Sequence, residues 1–394
     1  MAELSQSPTD PGFVQNPYPF YAEARARGAV HQWRDYGIHC AFSHAAVNAA
    51  LRDSRMGREA PDELKEPRPA HLRDFYAIDD NSMLELEAPR HTRLRKLVLH
   101  AFTARGIAGL APEIEALCHQ LIDACPEGDF DLLPQYATQV PVIVIARLLG
   151  VPDDMADRLL AWSNDMVAMY QARRDRAIED GANAAAREFS AFLADYIATR
   201  RRTPSDDLIT RLIAAEADGE KLSLDELIAT CVLVLNAGHE ATVHTLGNGV
   251  KAMLETGMRP EWSSDSMIDA TVEEILRFDP PLHMFTRWVY EDLEIGRSPL
   301  RRGDRIGLLL GAANRDPEMW VDPDRFDPNR HLKPHVAFGA GRHFCVGAPL
   351  ARLELRIALQ VLFARLPGLR LAAPPRYANL YHFHGLERLL LCAQ

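Results

Sequence analysis

Ten residues near the C-terminal end constrain this chain more than any other feature. Phe338-Gly-Ala-Gly-Arg-His-Phe-Cys345-Val-Gly347 runs straight into a helical pattern that starts at Ala348. Its glycines open backbone conformations closed to other residues. The helix start that follows, with its free backbone N–H groups, favours a thiolate over a thiol at Cys345. A lone thiolate delivered this way serves as a nucleophile or as an axial metal ligand. A single cysteine is elsewhere most often a small buried apolar residue. The glycines and the helix start argue against that here.

The rest of the composition narrows the field. The other cysteines, Cys40, Cys118, Cys125, Cys231 and Cys392, form no CxxC pair, so neither a zinc knuckle nor a disulfide frame is expected. With 394 residues, 47% hydrophobic and 25% charged, the chain can bury a large core and still enclose a cavity. Its net charge of −11 repels a phosphate backbone, which excludes nucleic acid as the main partner. The start, MAELSQSPTDPG, lacks the basic and apolar regions of a signal peptide. The most apolar stretches, 140–151 and 228–237, are too short to cross a bilayer. No membrane partner is expected, and the expected location is the cytoplasm. Internal repeats and the GxGxxG, GxxxxGK[ST], GxSxG and HExxH patterns are all absent from the sequence.

Periodicity predicts helices over 17–27, 43–51, 92–102, 107–124, 140–149, 155–170, 177–202, 266–278 and 348–365. A further helix, unusually long, opens at Ser223 with a capping box completed by Glu226 and runs to about residue 255. Short strands are expected at 30–33, 38–42, 285–289, 305–310 and 381–391. Irregular stretches fall at 60–70 and 314–330, both rich in proline. The expected class is mainly α with a small β portion, as one domain over residues 1–394.

With these residues in hand, the sequence closely resembles the cytochrome P450 family, the haem-thiolate monooxygenases. The family's haem loop reads Phe-x-x-Gly-x-His/Arg-x-Cys-x-Gly, and Phe338, Gly341, His343, Cys345 and Gly347 match every fixed position. The likeness extends over residues 17–390. It implies the P450 fold, with heme b (iron protoporphyrin IX) between a long distal helix and the proximal cysteine loop and helix. It makes Cys345 the iron ligand, with Phe338, Gly347, Ala237 and Gly238 against the cofactor. Glu274-Ile-Leu-Arg277 and the arginine of Pro323-Asp-Arg325-Phe326 resemble the family's structural network that holds the haem loop. Asp324 stands where glutamate is more common. His91 and Arg95, in a Pro-x-His-x-x-x-Arg pattern, together with Arg287 and His343, are implied partners of the haem propionates. Arg93 lies off that face and is expected to be solvated.

On the distal side the family reads Ala/Gly-Gly-x-Asp/Glu-Thr-Thr, and here the run is Ala237-Gly238-His239-Glu240-Ala241-Thr242. Gly238 is expected to leave room above the haem and to let the helix open. Glu240 is the implied proton-relaying acid, with Thr242 a secondary catalytic candidate. Ala241 replaces the usual first threonine, so hydroxyl-assisted proton delivery does not carry over. Pocket walls are expected from Leu233, Ala237, Ala241, Leu282, Phe285 and Phe383, with contributions from 60–83, 165–173 and His382.

The implied reaction inserts one atom of O2 into a small, largely apolar organic substrate. Electrons would come from NAD(P)H through a ferredoxin-type donor and its reductase, because the chain carries no flavin or iron–sulfur segment. Arg342, Arg352 and Arg356 around the haem loop are the expected docking charges. A peroxygenase using H2O2 would carry Arg-Pro in place of the acid and threonine, and Glu240 argues against it. An electron-transfer cytochrome would show Cys-x-x-Cys-His or a His/Met pair, and a haem sensor would need an output module. Neither feature is in the sequence.

Overall fold

The structure, a computed structural model, describes residues 3–170, 174–258, 264–331, 333–380 and 383–393. It is 54% helix and 12% strand, so the mainly α class with a small β portion stands. The strongest periodic segments fold where their spacing placed them, as the helices Arg176–Arg202, Leu224–Glu255, Asp265–Phe278 and Ala348–Arg365. The capping box forms in both directions. Glu226 N–H donates to Ser223 Oγ at 3.2 Å, and Ser223 N–H donates to Glu226 Oε2 at 2.9 Å.

Local signals also fail in places. The helix expected over 107–124 is two helices, Ala104–Ala108 and Ala111–Asp123, because Gly109 terminates the first. Two short helices, Arg73–Asp79 and Leu208–Ala214, escape a periodicity search at seven residues each. Asp207 caps the second by accepting from Thr210 N–H at 2.7 Å. Of the strand expected over 381–391, residues 381 and 382 lie outside the described residues, and the rest forms Leu386–Arg388 and Leu390–Cys392.

Two compact units divide the chain. The chain passes from one to the other inside Ala111–Asp123 and again inside Leu224–Glu255.

The first unit comprises residues 1–64, 115–137 and 241–394, and it holds every strand among the described residues. Its main sheet has six strands in the order Glu3–Leu4, Val30–Trp33, Ile38–Ala41, Arg305–Leu309, Met284–Val289 and Met56–Gly57. Phe285 pairs with Leu308, and Arg287 with Ile306. The sheet buries Trp33, Phe42, Ile306 and Leu308 to 1% exposure or less, and helices Asp265–Phe278 and Ala348–Arg365 pack on each other. Tyr136 Oη donates to Ala358 C=O at 2.8 Å and fixes the middle of the latter helix.

The second unit, residues 65–114 and 138–240, is helical. Arg176–Arg202 packs on Ala156–Val167 and on Arg73–Asp79, and the Trp162 and Phe189 rings stack 5.0 Å apart. Arg200 pairs with the buried Asp207 at 2.5 Å and donates to Gly150 C=O at 3.0 Å. Among the described residues no helix is long and apolar enough to cross a membrane.

Candidate functional site

In the first unit the cysteine loop is shaped by backbone that only glycine tolerates. Gly339 and Gly341 have φ of +69° and +70°. A Cβ on Gly341 would stand 2.5 Å from the Leu51 carbonyl oxygen, which is backbone and has little room to yield. Residues Gly341–His343 make one 3₁₀ turn, Cys345 N–H donates to Phe338 C=O at 3.0 Å, and the helix Ala348–Arg365 begins three residues on. Cys345 is half-buried. Cys40, Cys118 and Cys231 are buried, and desolvation pushes their thiols up to about 12, 11 and 12, leaving them unreactive.

The strand Met284–Val289 borders this loop, since a Cβ on Gly339 would meet the Phe285 ring at 3.3 Å. Arg287 sits two residues along the strand at 3% exposure, donating to Thr286 C=O at 2.8 Å. Phe338 lies under the Arg352 guanidinium at 4.7 Å, and Arg352 is gripped bidentately by Glu273, with the Nη2–Oε2 bond at 2.9 Å. Burial alone would raise the Glu273 carboxyl, but Arg352 and His335 outweigh it and bring it down to about 2.

Next to the loop lies the Glu274 network. Arg277 and Glu274, both 1% exposed, form a two-bond pair at 2.7 and 2.8 Å. Arg277 also donates to the carbonyls of Asn314, Pro323 and Arg325 at 2.9, 2.8 and 3.2 Å. Arg325, expected as the third charged member, is not. Its side chain is exposed and only its carbonyl takes part. The second cation at Glu274 is Arg330, at 3.5 Å, which also donates to the carbonyls of Asp322 and Arg325 at 3.0 and 2.9 Å. The turn through Pro323 directs the Arg325 backbone inward and its side chain out, so the charge comes from five residues later.

On the helix Leu224–Glu255 the distal run divides by face. Leu233, Val234, Ala237, Glu240 and Ala241 are exposed or half-buried, whereas Leu235, His239 and Thr242 are buried. Thr242 therefore points into packing, about 100° around from Ala241. Thr245 Oγ donates to the Ala241 carbonyl at 2.7 Å. Gly238 also makes a close helix contact. A Cβ there would stand 2.8 Å from Ile145 Cδ1, so the missing side chain admits the helix Gln139–Leu149. The helix is continuous through this point.

On the helix Arg90–Ala101, His91 is buried and Arg95 half-buried. Arg93, expected to be solvated, instead pairs with Glu226 and with Glu220 at 3.2 Å, and donates to Lys221 C=O at 3.3 Å. It ties the capping turn of the long helix.

Comparison with known proteins decides the family. Residues 266–366 match the family model Cytochrome P450. The chain is 35% identical to the polyketide biosynthesis cytochrome P450 PksS of Bacillus subtilis, over 99% of this chain and 98% of that protein. It is 39% identical to the vitamin D(3) 25-hydroxylase of Pseudonocardia autotrophica, over 91% and 89%. The crystal structure of P450BioI in complex with acyl carrier protein bearing hexadec-9Z-enoic acid superposes with a TM-score of 0.90 at 32% identity, covering 98% of this chain and 99% of that one.

The chain belongs to the cytochrome P450 family.

As a P450 it is a haem-dependent oxidoreductase that incorporates oxygen from O2. Its own residues fit a haem. One sulfur is presented on a glycine-shaped loop at a helix start, three other thiols are sealed by burial, and Arg287 places a cation in the adjoining strand. Leu282 and Phe383 meet in an antiparallel bridge, and Phe285 meets the cysteine loop. His382 and residues 171–173 of the expected pocket wall lie outside the described residues. Among the arginines expected at a docking face, Arg352 is engaged with Glu273, and Arg356 with Asp265 at 2.6 Å and Asp269 at 3.7 Å. Arg342 is exposed. Sequence reasoning missed Arg330 and Glu273. Nothing in local spacing sets Glu273 apart from its neighbours.

Proposed function

We propose that this P450 inserts one oxygen atom from O2 into a small, largely apolar organic substrate, using heme b and electrons from NAD(P)H carried by a ferredoxin and its reductase in the cytoplasm, with residues 1–394 acting as one domain. The presentation of Cys345 carries the reading. A vitamin D(3) 25-hydroxylase and a steroid C26-monooxygenase, at 39% and 35% identity, support an apolar substrate. The haem supplies the oxygen-activating chemistry when bound, with Cys345 as its thiolate ligand.

Other residues take roles consistent with their positions. His91, Arg95, Arg287 and His343 offer donors to the propionates, which need cationic or hydrogen-bonding partners when buried. Phe338, Gly347, Ala237 and Gly238 flank the cofactor, Gly238 through the helix packing it permits. Leu233, Ala237, Ala241, Leu282, Phe285 and Phe383 present apolar surface to substrate. Glu240 holds and passes protons from the half-buried face of the long helix. Ala241 offers no hydroxyl, so ordered water or a substrate hydroxyl completes the path, and Thr242 is a minor contributor because it is buried.

The test is turnover under ¹⁸O2 with NADPH, ferredoxin and ferredoxin reductase, on ligands chosen by their shift of the ferric haem to high spin. One ¹⁸O atom per product is expected, and the reduced CO complex should show the red-shifted Soret band of thiolate ligation. That band should vanish in Cys345→His. Oxygenation that needs H2O2 and ignores the reductase, or a thiolate band that survives in Cys345→His, would overturn the reading.

A further inference from the structure

A second constellation of metal-ligand side chains lies in the first unit, and the P450 reaction does not use it. Asp279, His283 and His384 are each 8% exposed or less, and their ligand atoms lie within 4.8 Å of one another. Asp279 follows the last turn of Asp265–Phe278, His283 immediately precedes the strand Met284–Val289, and His384 comes from the C-terminal segment. A contiguous sequence motif could not reveal it.

The separations are informative. His384 Nε2 stands 3.5 Å and His283 Nε2 3.7 Å from Asp279 Oδ1, longer than an ordinary charged hydrogen bond. The two imidazoles therefore converge on the carboxylate without bonding well to it. Ligands of a tetrahedral zinc at bonds of about 2.0–2.2 Å stand about 3.3–3.6 Å apart. The 3.5 Å spacing falls on that edge, and the 3.7 Å spacing lies just beyond it.

Outer hydrogen bonds hold the Asp279 and His283 side chains as metal ligands usually are held, and His384 is fixed through its backbone and by stacking. Tyr18 Oη donates to Asp279 Oδ1 at 2.6 Å, and Tyr377 Oη donates to Oδ2. Tyr21 Oη lies 3.1 Å from His283 Nδ1 and Tyr18 Oη 3.3 Å from its Nε2, so a metal at Nε2 would replace the longer Tyr18 contact. Asn248 Nδ2 donates to the backbone carbonyls of His384 and Asp279 at 2.8 and 3.3 Å. Tyr377 stacks on His384 at 3.7 Å between ring centres.

A cleft lined by Pro17, Tyr21, Leu380, Phe383, His283 and His384 gives an entry path.

We infer that Asp279, His283 and His384 form a binding site for a zinc-like divalent cation, with water as the fourth ligand. Two nitrogens and one carboxylate oxygen suit zinc and other first-row ions better than calcium or magnesium. The ion fastens the C-terminal segment, with Phe383 beside His384, to the end of the Asp265–Phe278 helix. Its function is structural: it fixes the position of Phe383.

The experiment is equilibrium dialysis of metal-stripped holoprotein, with its haem retained, against micromolar Zn²⁺. It is followed by elemental analysis and by anomalous diffraction above and below the zinc edge. One zinc per chain is expected, with an edge-dependent peak between Asp279, His283 and His384. His384→Gln, checked for an unchanged Soret spectrum, should weaken binding at least 100-fold. Binding that is absent, that His384→Gln leaves unchanged, or that peaks elsewhere would overturn the site. The anomalous measurement on the unaltered protein decides the matter even if the variant fails to fold. None of these readouts depends on oxygenation.

Discussion

At the scale of single residues, the cysteine loop is fixed by what its neighbours exclude. Gly341 combines φ of +70° with a backbone oxygen 2.5 Å from where a Cβ would go. Left-handed backbone costs a non-glycine residue about 1 kcal/mol or more, and the Leu51 carbonyl cannot swing away as a side chain would. Gly341→Ala should therefore lower stability by more than about 2 kcal/mol and raise the haem-free fraction. Gly128→Ala, also at positive φ but with open space around it, is the control and should cost about 1 kcal/mol. Denaturant titration followed by the Soret band checks both, and equal losses would show that the contact with Leu51 is not what matters.

Two elements yield predictions that single residues do not. The first is the network that joins Asp265–Phe278 to the 321–330 turn. Removing one partner of a buried pair strands a charge at about 3–5 kcal/mol, so Glu274→Ala and Arg277→Ala should give mostly haem-free or aggregated protein. Arg330→Ala should lower haem retention measurably, because it removes the second cation at Glu274. Arg325→Ala should be near neutral, since its exposed side chain is not at Glu274 and its carbonyl survives the change. Haem content per chain after purification ranks the four, and a severe Arg325→Ala would restore the motif-based assignment. The second element is the long helix. With Glu240 on its half-buried face and Thr242 in packing, Glu240→Gln should lower the fraction of NADPH recovered in product several-fold, whereas Thr242→Val should change it little. Peroxide released per NADPH consumed reports the difference. A coupling loss confined to Thr242→Val would reverse the two roles.

Across the whole molecule, buried titrating groups pull stability in opposite directions with pH. His384 falls from an ordinary 6.5 to about 3, so the unfolded chain binds more protons between those values. Its contribution is complete above pH 6.5 and is lost progressively as pH falls toward 3. Glu273, lowered from 4.5 to about 2, adds a loss as pH falls through that lower window. Glu354 opposes them. Burial with no partner at Oε1 raises it from 4.5 to about 8, so its stabilising neutral form is lost as pH rises through that range. With EDTA present, His384→Gln should flatten the acid limb of the stability profile between pH 6.5 and 4.5. Glu354→Gln should gain on the unaltered protein as pH rises from 5 to 8. Parallel profiles for variant and parent would contradict these assignments. The same division between local and distant causes separates what could be read from the chain. The long helices, the capping box and the cysteine at the head of Ala348–Arg365 were legible from spacing within one or two turns, and the Glu274–Arg277 pair from the resemblance to the P450 family. The packing of Gly238 against Ile145, the substitution of Arg330 for Arg325, the Glu273 clasp on Arg352 and the convergence of Asp279 with His384 were not. Those contacts join residues separated by 56 positions at Glu274 and Arg330, and by 79 at Glu273 and Arg352. The sequence by itself determined which residues could carry charge, sulfur and helical backbone. Only tertiary packing, by choosing which distant groups share a desolvated space, decided which charges met and which thiol stayed within reach of chemistry.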